Sequence, residues 1–171
     1  MKKERIVSFM FLLPFLMIAL GCATVISKEI RDEASTLRMV EVRGDPQAYQ
    51  GQAVIWAGVI IATTNLKDET VIEILHKPSD LQGKPKDVDL TQGRFLAVSK
   101  GYLDAAVYTQ GRQVTVAGEI TGTRVLLVGE YEYTYPVISM KEIHLWPVEK
   151  DVQYYYYPTY RPWYWYHPNY W

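Results

Sequence analysis

The sequence predicts a mainly β fold closed into a small barrel, and three observations carry that expectation. Between residues 52 and 146, short runs rich in β-branched and aromatic residues (QAVIWAGVII, TVIEILHK, RFLAV, QVTVAGEI, RVLLVGE and PVISMKEIHLW) alternate with polar or Gly/Pro stretches. The first and fourth runs echo each other at an offset of sixty: Gly51-Gln-Ala-Val-Ile-Trp-Ala-Gly-Val-Ile60 lies over Gly111-Arg-Gln-Val-Thr-Val-Ala-Gly-Glu-Ile120. Between the third and fourth runs, Tyr102–Tyr108 places Leu103, Ala106 and Val107 on one helical face before Gly111 closes the segment. About five strands with one short helix between the third and fourth describe an OB-like Greek-key β-barrel.

The chain begins with a leader. Lys2, Lys3 and Arg5 form a basic start, Ile6–Leu20 is an uncharged and mostly apolar run, and Gly21 precedes Cys22. The run is shorter than the ~20 apolar residues a spanning helix needs, and Pro14 interrupts it. Residues 1–21 therefore read as a cleaved signal peptide, cut between Gly21 and Cys22. A single thiol in an exported protein cannot close an internal disulfide. Its setting, Ala19-Leu20-Gly21-Cys22, resembles the lipobox of bacterial lipoproteins, in which the cysteine is acylated and becomes the new amino terminus. The resemblance implies a covalent lipid on Cys22, no other cofactor, and the lipid bilayer as partner; Ala23, rather than Asp, after the cysteine favours the outer membrane, on its periplasmic leaflet.

Residues 22–44 are polar and charged and read as a lipid-anchored tether, with a short helix around Lys28–Val40. Asp45-Pro46 supplies a helix start and Gly51 a stop, giving one turn that leads into the first strand. The barrel domain then occupies 45–148. Side-chain alternation puts Val54, Trp56, Gly58 and Ile60 on one face of the first strand, and Val114, Val116, Gly118 and Ile120 on one face of the fourth. Thr115 and Glu119 take the opposite, wet face. Glycines inside such rows mark the sharp bends a small closed barrel needs. Trp56 is expected to fill the barrel and Trp146 to cap the last strand. Arg94 and Arg112 follow glycines at strand starts and read as surface charges, with Glu73, Glu119 and Asp104 as the acidic groups in reach.

Charge and motif content narrow the function. Removing residues 1–21 takes three cations (Lys2, Lys3, Arg5) and one anion (Glu4) from the chain's 18 basic and 19 acidic residues, leaving 15 and 18 and a net charge of −3. No basic excess exists to neutralise a phosphate backbone, so no nucleic-acid partner is expected. His76, His144 and His167 are scattered, and no serine-hydrolase elbow, zinc-protease motif or paired-cysteine site occurs. Asp87 with Asp89, and Glu130 with Glu132, read as solvated faces rather than acid–base pairs. The reading is of a protein that is not an enzyme and has no metal.

The motifs taken in order resemble the Slp family of bacterial outer-membrane lipoproteins, starvation-inducible type. The resemblance runs from about Ala48 to Trp146 on Tyr49-Gln-Gly51, Val54-Ile-Trp-Ala-Gly58, Thr70-Val-Ile-Glu-Ile74, Gly93-Arg-Phe-Leu96, Gly101-Tyr-Leu-Asp104, Gly111-Arg112, Val114-Thr-Val-Ala-Gly118, Gly129-Glu130, Tyr135-Pro136 and His144-Leu-Trp146. It implies a non-enzymatic lipoprotein of the cell envelope associated with stress or stationary phase, acting as a structural or docking module. The family brings no catalytic residues.

The tail, residues 149–171, is the remaining signal. It holds Tyr154, Tyr155, Tyr156, Tyr157, Tyr160, Trp163, Tyr164, Trp165, Tyr166, Tyr170 and Trp171, three prolines, and no Ile, Leu or Met. Such a segment builds no core. Three readings stand: contact with the bilayer interface, where Tyr and Trp rings sit among headgroups; stacking on the sugars of peptidoglycan or lipopolysaccharide, which would make the protein a carbohydrate-binding module; or a flexible, self-associating tail. Envelope proteins and glycans are accordingly expected partners beside the lipid.

Overall fold

The computed structural model describes residues 24–148. Among these residues two short helices, α1 (Lys28–Glu33) and α2 (Met39–Gly44), precede five strands: β1 (Ala53–Asn65), β2 (Glu69–Lys77), β3 (Arg94–Lys100), β4 (Gln113–Val128) and β5 (Tyr131–Leu145). The strands close in the order β1-β2-β3-β5-β4, with β4 returning to β1. Every pairing is antiparallel except β3 with β5, where Leu96–Val98 runs parallel to Val137–Ser139. This is the expected mainly β, OB-like barrel.

The echo at sixty is a local two-fold relation between β1 and β4. Gly51 N–H donates to Ile120 O at 2.8 Å and Gly111 N–H to Ile60 O at 2.9 Å, and each glycine holds a left-handed φ, 81° and 85°. Bulges follow at equivalent places, Ile60/Ala62 and Ile120/Gly122. Gly58 and Gly118 occupy equivalent points where the paired neighbouring strand approaches closely: a Cβ on either would run into backbone, the carbonyl of Leu75 on β2 or of Ser139 on β5. The bulge around Thr121 bends β4 rather than ending it, so QVTVAGEI and RVLLVGE, separate runs in the sequence, form one strand.

The inner faces bury the expected alternating rows. Val54, Trp56 and Ile60 meet Ile72, Ile74, Phe95, Val114, Val116, Ile120 and Ile138. Trp56 fills the barrel as expected, edge to face with Phe95 at 5.3 Å, its indole N–H donating to Leu37 O at 3.1 Å.

The barrel's closures differ from expectation. Tyr102–Tyr108 forms a turn and no helix: the carbonyl of Asp104 takes the N–H groups of Val107 and Tyr108, its carboxylate takes that of Ala106, and Leu103 N–H goes to the Thr70 hydroxyl. Competing local bonds to Asp104 and Thr70 win over a segment too short to sustain a helix. Leu103 and Tyr108 pack on the core, whereas Ala106 and Val107 are exposed. The segment after Asp45-Pro46 is likewise a turn, with Asp45 Oδ1 accepting from Ala48 N–H at 3.3 Å.

Residues 24–44, expected as a tether, pack along the barrel instead. Ser27 N–H donates to the Glu142 carboxylate at 2.9 Å, Ser35 pairs with Val54, and α2 drives Met39 and Val42, both fully buried, into the core beside Phe95. The single helix expected over Lys28–Val40 is broken in two at Ala34–Arg38, where Ser35 N–H bonds Ala53 O at 2.8 Å. Glu41 then starts α2 by accepting from the Arg38 backbone N–H at 3.1 Å and its guanidinium at 2.8 Å.

Candidate functional site

Gly21, Cys22 and the aromatic tail lie outside the described residues, so the site is built from where the described chain begins and where it ends. Both points meet at Thr115. Its side chain points outward from β4, as the alternation requires, yet Thr115 is fully buried rather than wet. Two segments cover it. Thr115 Oγ1 donates to Gly83 O at 2.6 Å, in the loop between β2 and β3, and accepts from the indole N–H of Trp146 at 2.9 Å. A hydroxyl is the side chain that fits there, because it can donate to one neighbour while accepting from the other.

Thr24, Val25 and Ile26, the first described residues, lie on the same spot. Together with Arg31, Ile55, Thr115 and the turn Asp80–Gly83 they line a mainly apolar groove of about 140 Å³. Downstream, Ser27 and Glu142 hold the segment to β5; the hydrogen bond from Ser27 keeps the Glu142 carboxyl below its ordinary pKa. Lys141 sits between Glu119 at 2.8 Å and Glu33 at 3.6 Å, and the bond to Glu119 raises its ammonium's pKa.

Trp146 fixes the exit. It caps β5 as expected: the ring meets His144 edge to face at 4.6 Å, and its backbone N–H continues the ladder to Gln113 O at 2.9 Å. Arg112, expected as a surface charge, donates instead to Trp146 O at 2.9 Å. A second hollow of about 180 Å³, lined by Gly111–Gln113 and Trp146–Val148, opens where the tail departs. His144 is thus a strand histidine against a tryptophan.

The loop over Thr115 is rigid by its own bonds. Asp80 Oδ1 accepts from the N–H groups of Gln82 and Lys84, each at 2.9 Å, and Ser79 pairs with Pro85. At its apex Leu81 is 97% exposed.

A different polar cluster lies where the β4–β5 hairpin folds over the outside of β2 and β3. Arg94, also expected as a surface charge, pairs with Glu73 at 2.8 Å, and the same carboxylate oxygen accepts the Tyr135 hydroxyl at 2.9 Å. Burial first, then Glu73, raises the Tyr135 pKa. Tyr133 Oη accepts from Arg94 N–H and from the Arg43 guanidinium, both at 2.9 Å. Each group satisfies another, so the cluster latches the hairpin over β2 and β3. Asp87, Asp89, Glu130 and Glu132 are exposed. Among the described residues, no group of three His, Cys, Asp or Glu could hold a metal, and no helix is long and apolar enough to cross a membrane.

Sequence reasoning found the two termini but missed what joins them. Thr115 stood out as a polar residue in an apolar strand, but the turn at Asp80–Gly83 was not read from the sequence, and nothing in their spacing revealed that they touch.

Comparison with known proteins adds a family. The family model described as "Outer membrane lipoprotein Slp family" matches residues 20–171. The chain is 30% identical over 140 residues to "Uncharacterized lipoprotein YeaY" of Escherichia coli (strain K12), covering 81% of this chain and 72% of that protein. It is 32% identical over 124 residues to "Outer membrane protein Slp" of the same organism, covering 72% of this chain and 63% of the relative. A solved structure, the small single-stranded DNA-binding protein from Streptomyces coelicolor, aligns with a TM-score of 0.37 at 12% identity, over 56% of this chain and 94% of that one.

Proposed function

This chain belongs to the outer membrane lipoprotein Slp family, and from that premise we propose that it is a non-enzymatic lipoprotein, acylated at Cys22, whose barrel lies flat against the bilayer as a structural or docking module. The observation that carries the proposal is the convergence on Thr115. From Thr24, which is packed against the barrel, two residues of chain reach Cys22, a span of at most about 7 Å. A lipidated Cys22 therefore leaves the barrel almost no freedom to stand away from the headgroups. The outer membrane is the bilayer the family occupies. The link to stress or stationary phase rests on the family resemblance.

The tail is the second contact in this reading. It leaves through Trp146, which is bonded to the same threonine that the entering segment covers, so both ends start from one face. Tethering by lipid raises the effective concentration of the tail at the surface, and its Tyr and Trp rings suit the interface. The test is a Cys22→Ser chain, mature from residue 22, with and without residues 149–171, sedimented with outer-membrane-like liposomes and with purified sacculi. Tail-dependent binding to liposomes supports the proposal. Tail-dependent binding to sacculi alone would replace bilayer contact by glycan recognition.

A further inference from the structure

We infer that the β2–β3 loop is a membrane-inserting element of its own, with Leu81 entering the bilayer interface beside the lipid anchor. The inference rests on the reading of Cys22 as lipidated. A lone exposed leucine is ordinary on a protein surface; how this one is held, and where, sets it apart.

The holding is rigid. Besides the two bonds to Asp80 Oδ1, Asp80 N–H donates to Lys84 O at 2.9 Å and Gly83 N–H to Asp80 O at 3.1 Å, with Gly83 at φ 90°. Thr115 bonds Gly83 from below, and the site of a Gly83 Cβ lies 3.8 Å from a Val25 methyl. The turn satisfies its own backbone and is seated on the barrel, so Leu81 cannot fold back over the core. Display of this kind lets insertion proceed without an ordering cost. Leu90, 71% exposed, adds apolar surface in the same loop.

The place is the chain's point of entry into lipid. Val25 and Ile26 share the groove with Leu81, and Cys22 precedes Val25 by three residues, a reach of at most about 11 Å. When its acyl chains are in the bilayer, the apex at Leu81 is brought to headgroup depth. From Lys77 to Leu90 the loop carries three lysines and three aspartates. With no net charge the contact is apolar, and it should persist at high salt, where an electrostatic one would be screened.

The experiment uses the acylated chain with a second cysteine, Leu81→Cys. Cys22 is the only native cysteine and is blocked by its thioether, so a nitroxide label attaches to position 81 alone. Glu130→Cys, at the exposed tip of the β4–β5 hairpin, is the comparison site. On vesicles of phosphatidylethanolamine and phosphatidylglycerol, the label at 81 is expected to gain collisions with oxygen and lose collisions with a water-soluble nickel chelate several-fold, at low and high salt alike; the label at 130 should not change. A vesicle-bound protein whose label at 81 meets nickel as often as in solution would overturn the inference while leaving the anchor intact. Failure of the acylated chain to bind vesicles at all would overturn the anchoring on which it rests. As an independent arm that needs no label, Leu81→Asp in the Cys22→Ser chain, tail retained, should weaken vesicle binding several-fold; unchanged binding counts against insertion.

Discussion

Gly58 and Gly118 show how single residues set the barrel's closure. Each sits where a side chain would meet a carbonyl of the neighbouring paired strand, Leu75 or Ser139, and backbone cannot step aside as a flexible side chain can. Gly58→Ala and Gly118→Ala are each expected to destabilise the fold by about 1–3 kcal/mol in urea unfolding, whereas Gly44→Ala, with nothing near its Cβ, should be neutral or slightly stabilising. That glycine is required at these two points was legible in the sequence as a break in an apolar alternating row, although it was read there as a bend and the structure shows a close approach of backbone. His76 was not legible. It is buried, 8% exposed, with Nδ1 unpartnered among the described residues, and burial lowers its pKa from 6.5. The folded-state value lies below the unfolded one, so the unfolded chain takes up the proton first. Its stability contribution is complete above about pH 6.5 and is lost as the pH falls through the folded value. His76→Leu should flatten the loss of urea midpoint between about pH 7.5 and about pH 5, and an unchanged slope would assign the dependence to other groups.

At the scale of elements, the strands were readable and the closures were not. Period-two rows with glycine punctuation identify β1 to β5 from sequence, apart from the merging of two runs into β4. Whether an apolar residue in a charged stretch is buried depends on what lies across from it, and that information is non-local. Met39 and Val42 sit among Arg38, Glu41 and Arg43 and look like a soluble tether, yet α2 places both in the core. Conversely, Ala106 and Val107 look like a helical face and end up exposed, because Asp104 and Thr70 hold the segment as a turn. Met39→Ala is expected to cost about 2–5 kcal/mol in the same urea assay. A loss near zero would return residues 24–44 to the role of tether.

For the whole molecule, the two chemically telling segments of the sequence are its ends, and the barrel brings their roots together. The lipobox resemblance implied a lipid at Cys22 and composition pointed to an aromatic surface at 154–171, 130 residues and more apart in the chain. That they start from one face follows only from β4 passing under both, with Thr115 between Gly83 and Trp146. The hairpin beyond the Thr121 bulge, with Val125, Leu126, Leu127 and Tyr131 exposed, belongs to a different part of the surface. It is held over β2 and β3 by the Arg94–Glu73–Tyr135 latch. A barrel lying flat on the membrane should therefore be shielded at one surface and open at the other. Amide hydrogen exchange of the acylated chain on vesicles, compared with the Cys22→Ser chain in solution, reads this directly. Slowed exchange is expected over residues 24–31, 79–85 and 144–148, with residues 122–134 unchanged; bound protein with no protection at 24–31 and 79–85, or with protection confined to the hairpin, would overturn the flat-lying orientation.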